Sequence, residues 1–208
     1  MKILFLTGDL SLIGGIEKYN QDLLESFKTC DCNIRVLQRK KGGFFKKIFF
    51  TFKTIFFIFS YKPNYIMCCH INFSPILLFI NYFKEIDFSV SIYGIEAIKK
   101  FTFLKLLALK KANKILTISN YTENLIIEQD STLKQKIVII KSCVNESSFI
   151  KKKLKFDKKQ LNLSNKKIIM TLSRLSTSEE KGHDRVLKSL EILQQKFPNF
   201  IYMIVGGG

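Results

Sequence analysis

The 208 residues carry 34 lysine and arginine side chains against 17 acids, a formal net charge of +17, with 47% hydrophobic residues, 20 Phe, 10 Gly and 3 Pro. That composition excludes a disordered chain, a collagen-like repeat and a low-complexity scaffold, and it supplies enough apolar surface for a buried core. The charge suits an anionic partner (nucleic acid, nucleotide phosphate or an acidic membrane face), or it reflects only a lysine-rich coding bias.

Lys2 to Thr7 is a short apolar run ending in polar residues and glycine, the pattern of a buried parallel strand. After Gly14-Gly15, Ile16, Tyr19, Leu23, Leu24 and Phe27 recur at helical spacing, giving strand, glycine loop and helix. Asn33 to Gln38 reads as the next strand. Phe44 to Phe59 then packs eight Phe into sixteen residues, and Phe45, Phe49, Phe52, Phe56 and Phe59 fall on one helical face expected to pack on the sheet. Lys46, Lys47 and Lys53 interrupt the run, so it does not qualify as a membrane-spanning helix. Strands follow at Asn64 to Cys69 and Phe88 to Tyr93, with a helix from Pro75 to Phe83 between them. Ala97 to Ala112 reads as one basic amphipathic helix, Lys114 to Ile118 as a strand, Asn120 to Glu128 as a helix and Ile137 to Ile140 as a strand.

Strands alternating with helices predict an α/β fold with a doubly wound parallel sheet, which binds ligands beyond the carboxyl ends of its strands. A first Rossmann-like domain over 1–150 is followed by a basic linker over 151–165, where six lysines crowd into Lys151 to Lys159. The pattern restarts over 166–208 with a strand at Lys167 to Leu172, a helix at Asp184 to Lys196 and a strand at Ile201 to Val205. Two strands and one helix cannot close a core, so this second domain is expected to be truncated and the chain a fragment of a longer protein.

The five cysteines form no C-x-x-C and no Cys/His pair spaced for zinc, so no zinc site is expected. The apolar run at the amino terminus is too short for a signal-peptide core, so free thiols in a reducing cytoplasm are expected. Gly14 and Gly15 open a helix whose first N–H groups can receive a phosphate, although a tight strand-to-helix turn needs the same residues. They match neither a G-x-G-x-x-G fingerprint nor a P-loop. Arg174 stands at the carboxyl end of a strand and Lys181 just before a helix, so two cations converge where a doubly wound domain binds anions. Ordinary solvated loop charges remain the alternative.

Taken in order, Gly14-Gly15-Ile16-Glu17, Ile118-Ser119, Val144-Asn145 with Phe149, Ser173-Arg174-Leu175, Lys181-Gly182-His183-Asp184 and Ile204-Val205-Gly206 resemble the retaining glycosyltransferases of family four. The resemblance spans all 208 residues and is most specific from Arg174 to Asp184. It implies a GT-B fold, in which two Rossmann-like domains face each other across a cleft. It further implies sugar transfer from a nucleotide-diphosphate sugar with retention, without a metal and with no cofactor beside the donor substrate, in surface polysaccharide or glycolipid synthesis. Arg174 and Lys181 match the pair that holds the donor diphosphate, and Gly14 and Gly15 the loop beside it. His70, after the strand ending at Cys69, and Glu96 would be catalytic, with Tyr93, Gly94 and Ser119 lining the cleft. Tyr93 stands where the family often has His, and Ser173 where Gly is common. The family's glutamate pair would lie past Gly208, so the chain alone is expected to turn over little substrate.

The expected partners are therefore a nucleotide-sugar donor and a glycan or lipid-linked acceptor. An anionic membrane surface is a third, met by the Phe residues off the packing face (Phe44, Phe50 and Phe57) and by lysines of the Ile98 to Lys111 helix. The expected location is cytoplasmic, with peripheral attachment to the inner membrane face. Nucleic acid is not expected, since Arg is scarce and the aromatics follow core periodicity. Two alternatives stay open: a non-catalytic basic module binding polyanions, and an inactive remnant of a transferase.

Overall fold

A computed structural model describes residues 1–143, 163, 166–173, 175 and 181–207. The chain divides into two compact units, Met1–Phe149 and Ile150–Gly208. The lysine-rich linker predicted over 151–165 lies outside the described residues except for Leu163, which is buried.

The first unit alternates strands and helices: β1 (Lys2–Gly8), α1 (Gly15–Ser26), β2 (Asn33–Arg39), α2 (Phe44–Tyr61), β3 (Tyr65–Cys68), α3 (Ser74–Phe83), β4 (Asp87–Ile92), α4 (Ile95–Ile98), α5 (Phe103–Lys111), β5 (Lys114–Thr117), α6 (Asn120–Gln129) and β6 (Ile137–Ile139). All neighbouring strands pair in parallel, in the order β2-β1-β3-β4-β5-β6. The order reverses at β1, so the adjacent ends of β1 and β3 form the switch point where such sheets open a crevice.

Period-two alternation sorts the strand side chains into two layers. Leu4, Leu6, Ile66, Cys68, Phe88, Val90 and Ile92 share one core with Phe50 and Ile58 of α2, Leu77 and Ile80 of α3, Leu109 of α5 and Ile126 of α6. Ile3, Phe5, Met67 and Cys69 face the other way, against Leu23 and Leu24 of α1. Burying each large apolar side chain contributes about 1.5–3 kcal/mol, so these two layers hold the sheet between its helices.

Two sequence expectations are corrected. The helix expected over Ala97 to Ala112 is broken into α4 and α5. Phe101 leaves the helical path to enter the core at 8% exposure. Gln129 of α6 fills the gap, its side-chain oxygen accepting from Phe101 N–H at 2.7 Å and its amide donating to the Ala97 carbonyl at 2.7 Å. The second correction concerns α2. Its core face is Phe50, Thr54 and Ile58, with Ile55 and Phe57 partly buried. The face predicted to pack is turned outward: Phe45 is 84% exposed, Phe49 70%, Phe52 67% and Phe56 74%. Thr54 is tolerated inside because its hydroxyl donates to the Phe50 carbonyl at 2.8 Å. Of the three Phe placed off the packing face, only Phe44 is exposed.

The second unit holds β7 (Lys167–Leu172), α7 (His183–Lys196) and β8 (Phe200–Val205). β7 and β8 pair in parallel from Lys167↔Phe200 to Leu172↔Val205. The ladder runs on, with Ser173 N–H donating to the Val205 carbonyl at 3.0 Å and Leu175 N–H to that of Gly207 at 3.0 Å.

Candidate functional site

Four strands of the first unit deliver polar side chains at one edge of the sheet. Arg39 closes β2 opposite Gly8 of β1, His70 follows β3, Tyr93 and Gly94 follow β4, and Ser119 follows β5. His70 and Arg39 share a platform. The His70 ring centroid lies 5.5 Å from that of Phe73, and the Arg39 guanidinium 5.6 Å from the same ring. His70 starts a short 3-10 turn, its Nδ1 accepting from Asn72 N–H at 3.1 Å. In the neutral ring that bond assigns the proton to Nε2, leaving a donor. Burial pushes the imidazole below its ordinary value. Glu96 opposes that effect, Arg39 and Lys105 add to it, and Glu17 opposes it weakly.

Glu96 accepts from Tyr93 N–H at 3.2 Å through Oε2. Its Oε1 is buried without a hydrogen-bond partner among the described residues, as are Arg39 Nε and Thr117 Oγ1. Buried polar atoms normally find partners. Here an acceptor, a donor and a hydroxyl lack one, each near the carboxyl end of a strand, and Asn81 Oδ1 of α3 lacks one as well.

Tyr93, half-buried, pins α1 to the sheet. Its hydroxyl lies 2.5 Å from Asn20 Oδ1 and 3.2 Å from the Cys69 carbonyl, and Asn20 Nδ2 donates to Thr7 Oγ1 at 3.3 Å. Burial raises the phenol far above its ordinary value, so it stays protonated and serves as a donor. Tyr19 meets Tyr93 edge to face at 5.5 Å and donates to the Ile140 carbonyl at 3.0 Å.

The predicted glycines fall at element ends. Gly14 is the extended cap of α1, with no side-chain cap, and Gly15 opens the helix with free space where a Cβ would sit. Gly94, at φ 115° before α4, occupies the left-handed region, and a Cβ there would meet Thr122 Oγ1 at 3.3 Å. Ser119 caps α6, accepting from Thr122 N–H at 3.2 Å, so its oxygen is committed to the helix.

Val144, Asn145 and Phe149 of the first unit and Arg174 of the second lie outside the described residues. Lys181 is exposed beside Gly182, whose φ of 74° turns the chain into α7. His183 bridges the strands: its Nε2 lies 2.9 Å from Ser173 Oγ and its Nδ1 3.2 Å from the Tyr202 hydroxyl. Tyr202 in turn donates to Thr171 Oγ1 at 2.9 Å. This chain locks the end of β7 to the start of α7, the two places where the sequence puts Arg174 and Lys181.

Sequence reasoning missed Arg39 and Asn20. Arg39 was within reach of it, as a charged residue ending a strand, where doubly wound sheets place binding groups. Asn20 shows no such sign, because a polar residue on an amphipathic helix reads as solvated. A cavity of about 520 Å³ lies at the opposite edge of the sheet, lined by Pro63, Asn64, Asp87, Lys111 and Asn113. It sits at the amino ends of the strands, away from the crevice. Among the described residues, no group of three His, Cys, Asp or Glu side chains could hold a metal ion.

No protein-family profile and no curated protein matches the chain. Solved structures do. The lipopolysaccharide outer core galactosyltransferase WaaB, apo form, is 15% identical with a TM-score of 0.64, over 100% of this chain and 61% of that one. Anabaena Alr3699/HepE in complex with UDP-glucose is 16% identical with a TM-score of 0.68, over 100% and 61%. A putative UDP-N-acetylglucosamine 2-epimerase from Listeria monocytogenes is 13% identical with a TM-score of 0.52, over 98% and 62%. The chain thus has the GT-B-like, Rossmann-type α/β fold of these proteins along its length and spans about three fifths of theirs.

Proposed function

We propose that the chain belongs to a retaining glycosyltransferase of family four that moves a sugar from a nucleotide-diphosphate sugar to a glycan or lipid-linked acceptor, in surface polysaccharide or glycolipid synthesis. The observation that carries the proposal is the gathering of His70, Glu96 and Arg39 at the carboxyl ends of the strands, on a fold shared with a galactosyltransferase and with a UDP-glucose complex. Arg174 and Lys181 hold the donor diphosphate and stabilise the charge that grows on the leaving group. Gly14 and Gly15, at the amino end of α1 where no side chain caps the helix, meet the donor phosphate through its N–H groups. Neutral His70 offers its Nε2–H to a sugar oxygen, and the unpartnered Glu96 Oε1 accepts from a sugar hydroxyl. The epimerase likeness supports a second reading, a UDP-sugar epimerase, at the lower TM-score of 0.52.

Calorimetric titration with UDP and UDP-glucose tests the donor site. Saturable binding is expected, weakened roughly 10–100-fold by Arg174→Ala or Lys181→Ala, the loss of a charged hydrogen bond. Unchanged affinity in both variants removes these residues from the site. Steeply salt-dependent binding to any nucleic acid instead assigns a polyanion module. Release of a free 2-epimer from the donor, without an acceptor, assigns an epimerase.

A further inference from the structure

From Lys40 to Lys84 the chain carries seven lysines and no acidic residue. Within this stretch α2 turns Phe44, Phe45, Phe49, Phe52, Phe56 and Phe59 to solvent. At about 200 Å² per Phe side chain, these six expose on the order of 800 Å², beyond the roughly 300–600 Å² of the largest patch on an ordinary monomer. At about 100° per residue, Lys46 and Lys53 lie along one margin of that stripe. At its far end Lys84 sits 5.8 Å from the Phe59 ring centroid. Lys84 follows a second exposed aromatic cluster on α3, where Phe79 meets Phe83 at 5.1 Å and Tyr82 meets Phe83 at 5.2 Å.

We propose that this outward face of α2 seats the protein, lying in plane, on an anionic lipid bilayer. Among the described residues no helix is long and apolar enough to cross a membrane, so the face can enter only the interface. The rim decides the occupant. A second copy would set lysine against lysine, and a protein partner would meet no acid to pair with in the whole stretch. An anionic headgroup layer satisfies the lysines while its acyl boundary takes the Phe rings. The surface differs from the one the sequence indicated, since Phe50 and Phe57 face the core and Phe45, Phe49, Phe52 and Phe56 form the stripe. α2 begins just after Arg39, on the crevice side of the sheet, so a seated bilayer would bring lipid headgroups beside Arg39 and His70. Docking does not depend on sugar transfer, so the two proposals fail separately.

The test is co-sedimentation of the chain with vesicles of mixed phosphatidylglycerol and phosphatidylcholine, and with phosphatidylcholine alone. Binding to the anionic vesicles is expected. It falls at least about tenfold in the Phe49→Ser, Phe52→Ser, Phe56→Ser triple variant, and about fivefold for each of Lys46→Glu and Lys53→Glu. The altered side chains are exposed, and an unchanged urea midpoint shows that each variant is folded. Two results overturn the proposal: anionic vesicles that retain the triple variant as well as the parent, and a parent that ignores vesicles. A dimer abolished by the triple variant, without vesicle binding, gives the face to a second copy and also overturns it.

Discussion

Replacing Tyr93 by Phe removes one oxygen and keeps the ring against Tyr19. Asn20 is 2% exposed, and among the described residues the only hydrogen bond to its Oδ1 is the one from the Tyr93 hydroxyl. Without it a buried amide oxygen has no donor, at a cost of about 1–3 kcal/mol. For a unit of this size, each kcal/mol lowers Tm by roughly 3 °C, so a drop of about 3–9 °C is expected in Tyr93→Phe. Asn20→Leu is expected to act through the same bond, although Tyr93 then still reaches the Cys69 carbonyl at 3.2 Å. Urea unfolding of the parent, both single variants and the double variant completes a cycle, with a coupling near 1 kcal/mol expected between the two positions. A Tyr93→Phe protein as stable as the parent, or strictly additive losses, would refute the assignment of this bond as the pin that holds α1 on the sheet.

Two further outcomes are expected. Gly94→Ala forces a Cβ into a backbone at φ 115°, 3.3 Å from Thr122 Oγ1, and is expected to cost about 1–3 kcal/mol by urea unfolding; a neutral substitution would show that the turn before α4 relaxes freely. Asp130 is held down to about 2, first by the hydrogen bond from Lys110, at 2.7 Å, and then by the Thr132 hydroxyl and N–H. A carboxyl lowered in the folded state contributes stability above its unfolded value near 3.9, and loses it as pH falls toward 2. Asp130→Asn is therefore expected to flatten the acid limb of Tm against pH between about 4 and 2. A limb of unchanged slope would mean that the pair does not hold α5 to α6.

The doubly wound class was legible because strand runs such as Lys2 to Thr7 and helical spacings such as Ile16, Tyr19 and Leu23 have unlike periods. The face of α2 was not. A helix with Phe all round offers two apolar stripes, and the one that packs contains Thr54, whose backbone-bonded hydroxyl a periodicity count treats as a gap. The break between α4 and α5 escaped for a related reason. It is made by Gln129, thirty residues away from Lys99, whose carbonyl it also reaches at 3.4 Å. At the site, His70 and Glu96 are expected from the resemblance to family four, and the structure adds the Phe73 platform and Arg39 around His70. Such a juxtaposition depends on strand order, and no spacing within one element encodes it.

Cys68 and Cys69 are neighbours in the chain, yet one lies in the layer beneath α2, α3 and α5 and the other in the layer beneath α1. Both are wholly enclosed, and burial pushes the Cys68 thiol up to about 12 and that of Cys69 well above its ordinary value. A thiol so placed cannot form the thiolate that alkylating reagents attack until its own layer opens. Two consecutive residues thus serve as separate clocks for the two sides of the sheet. Their labelling rates, compared within a single peptide, would show whether the α1 side loosens before the opposite one as the protein breathes.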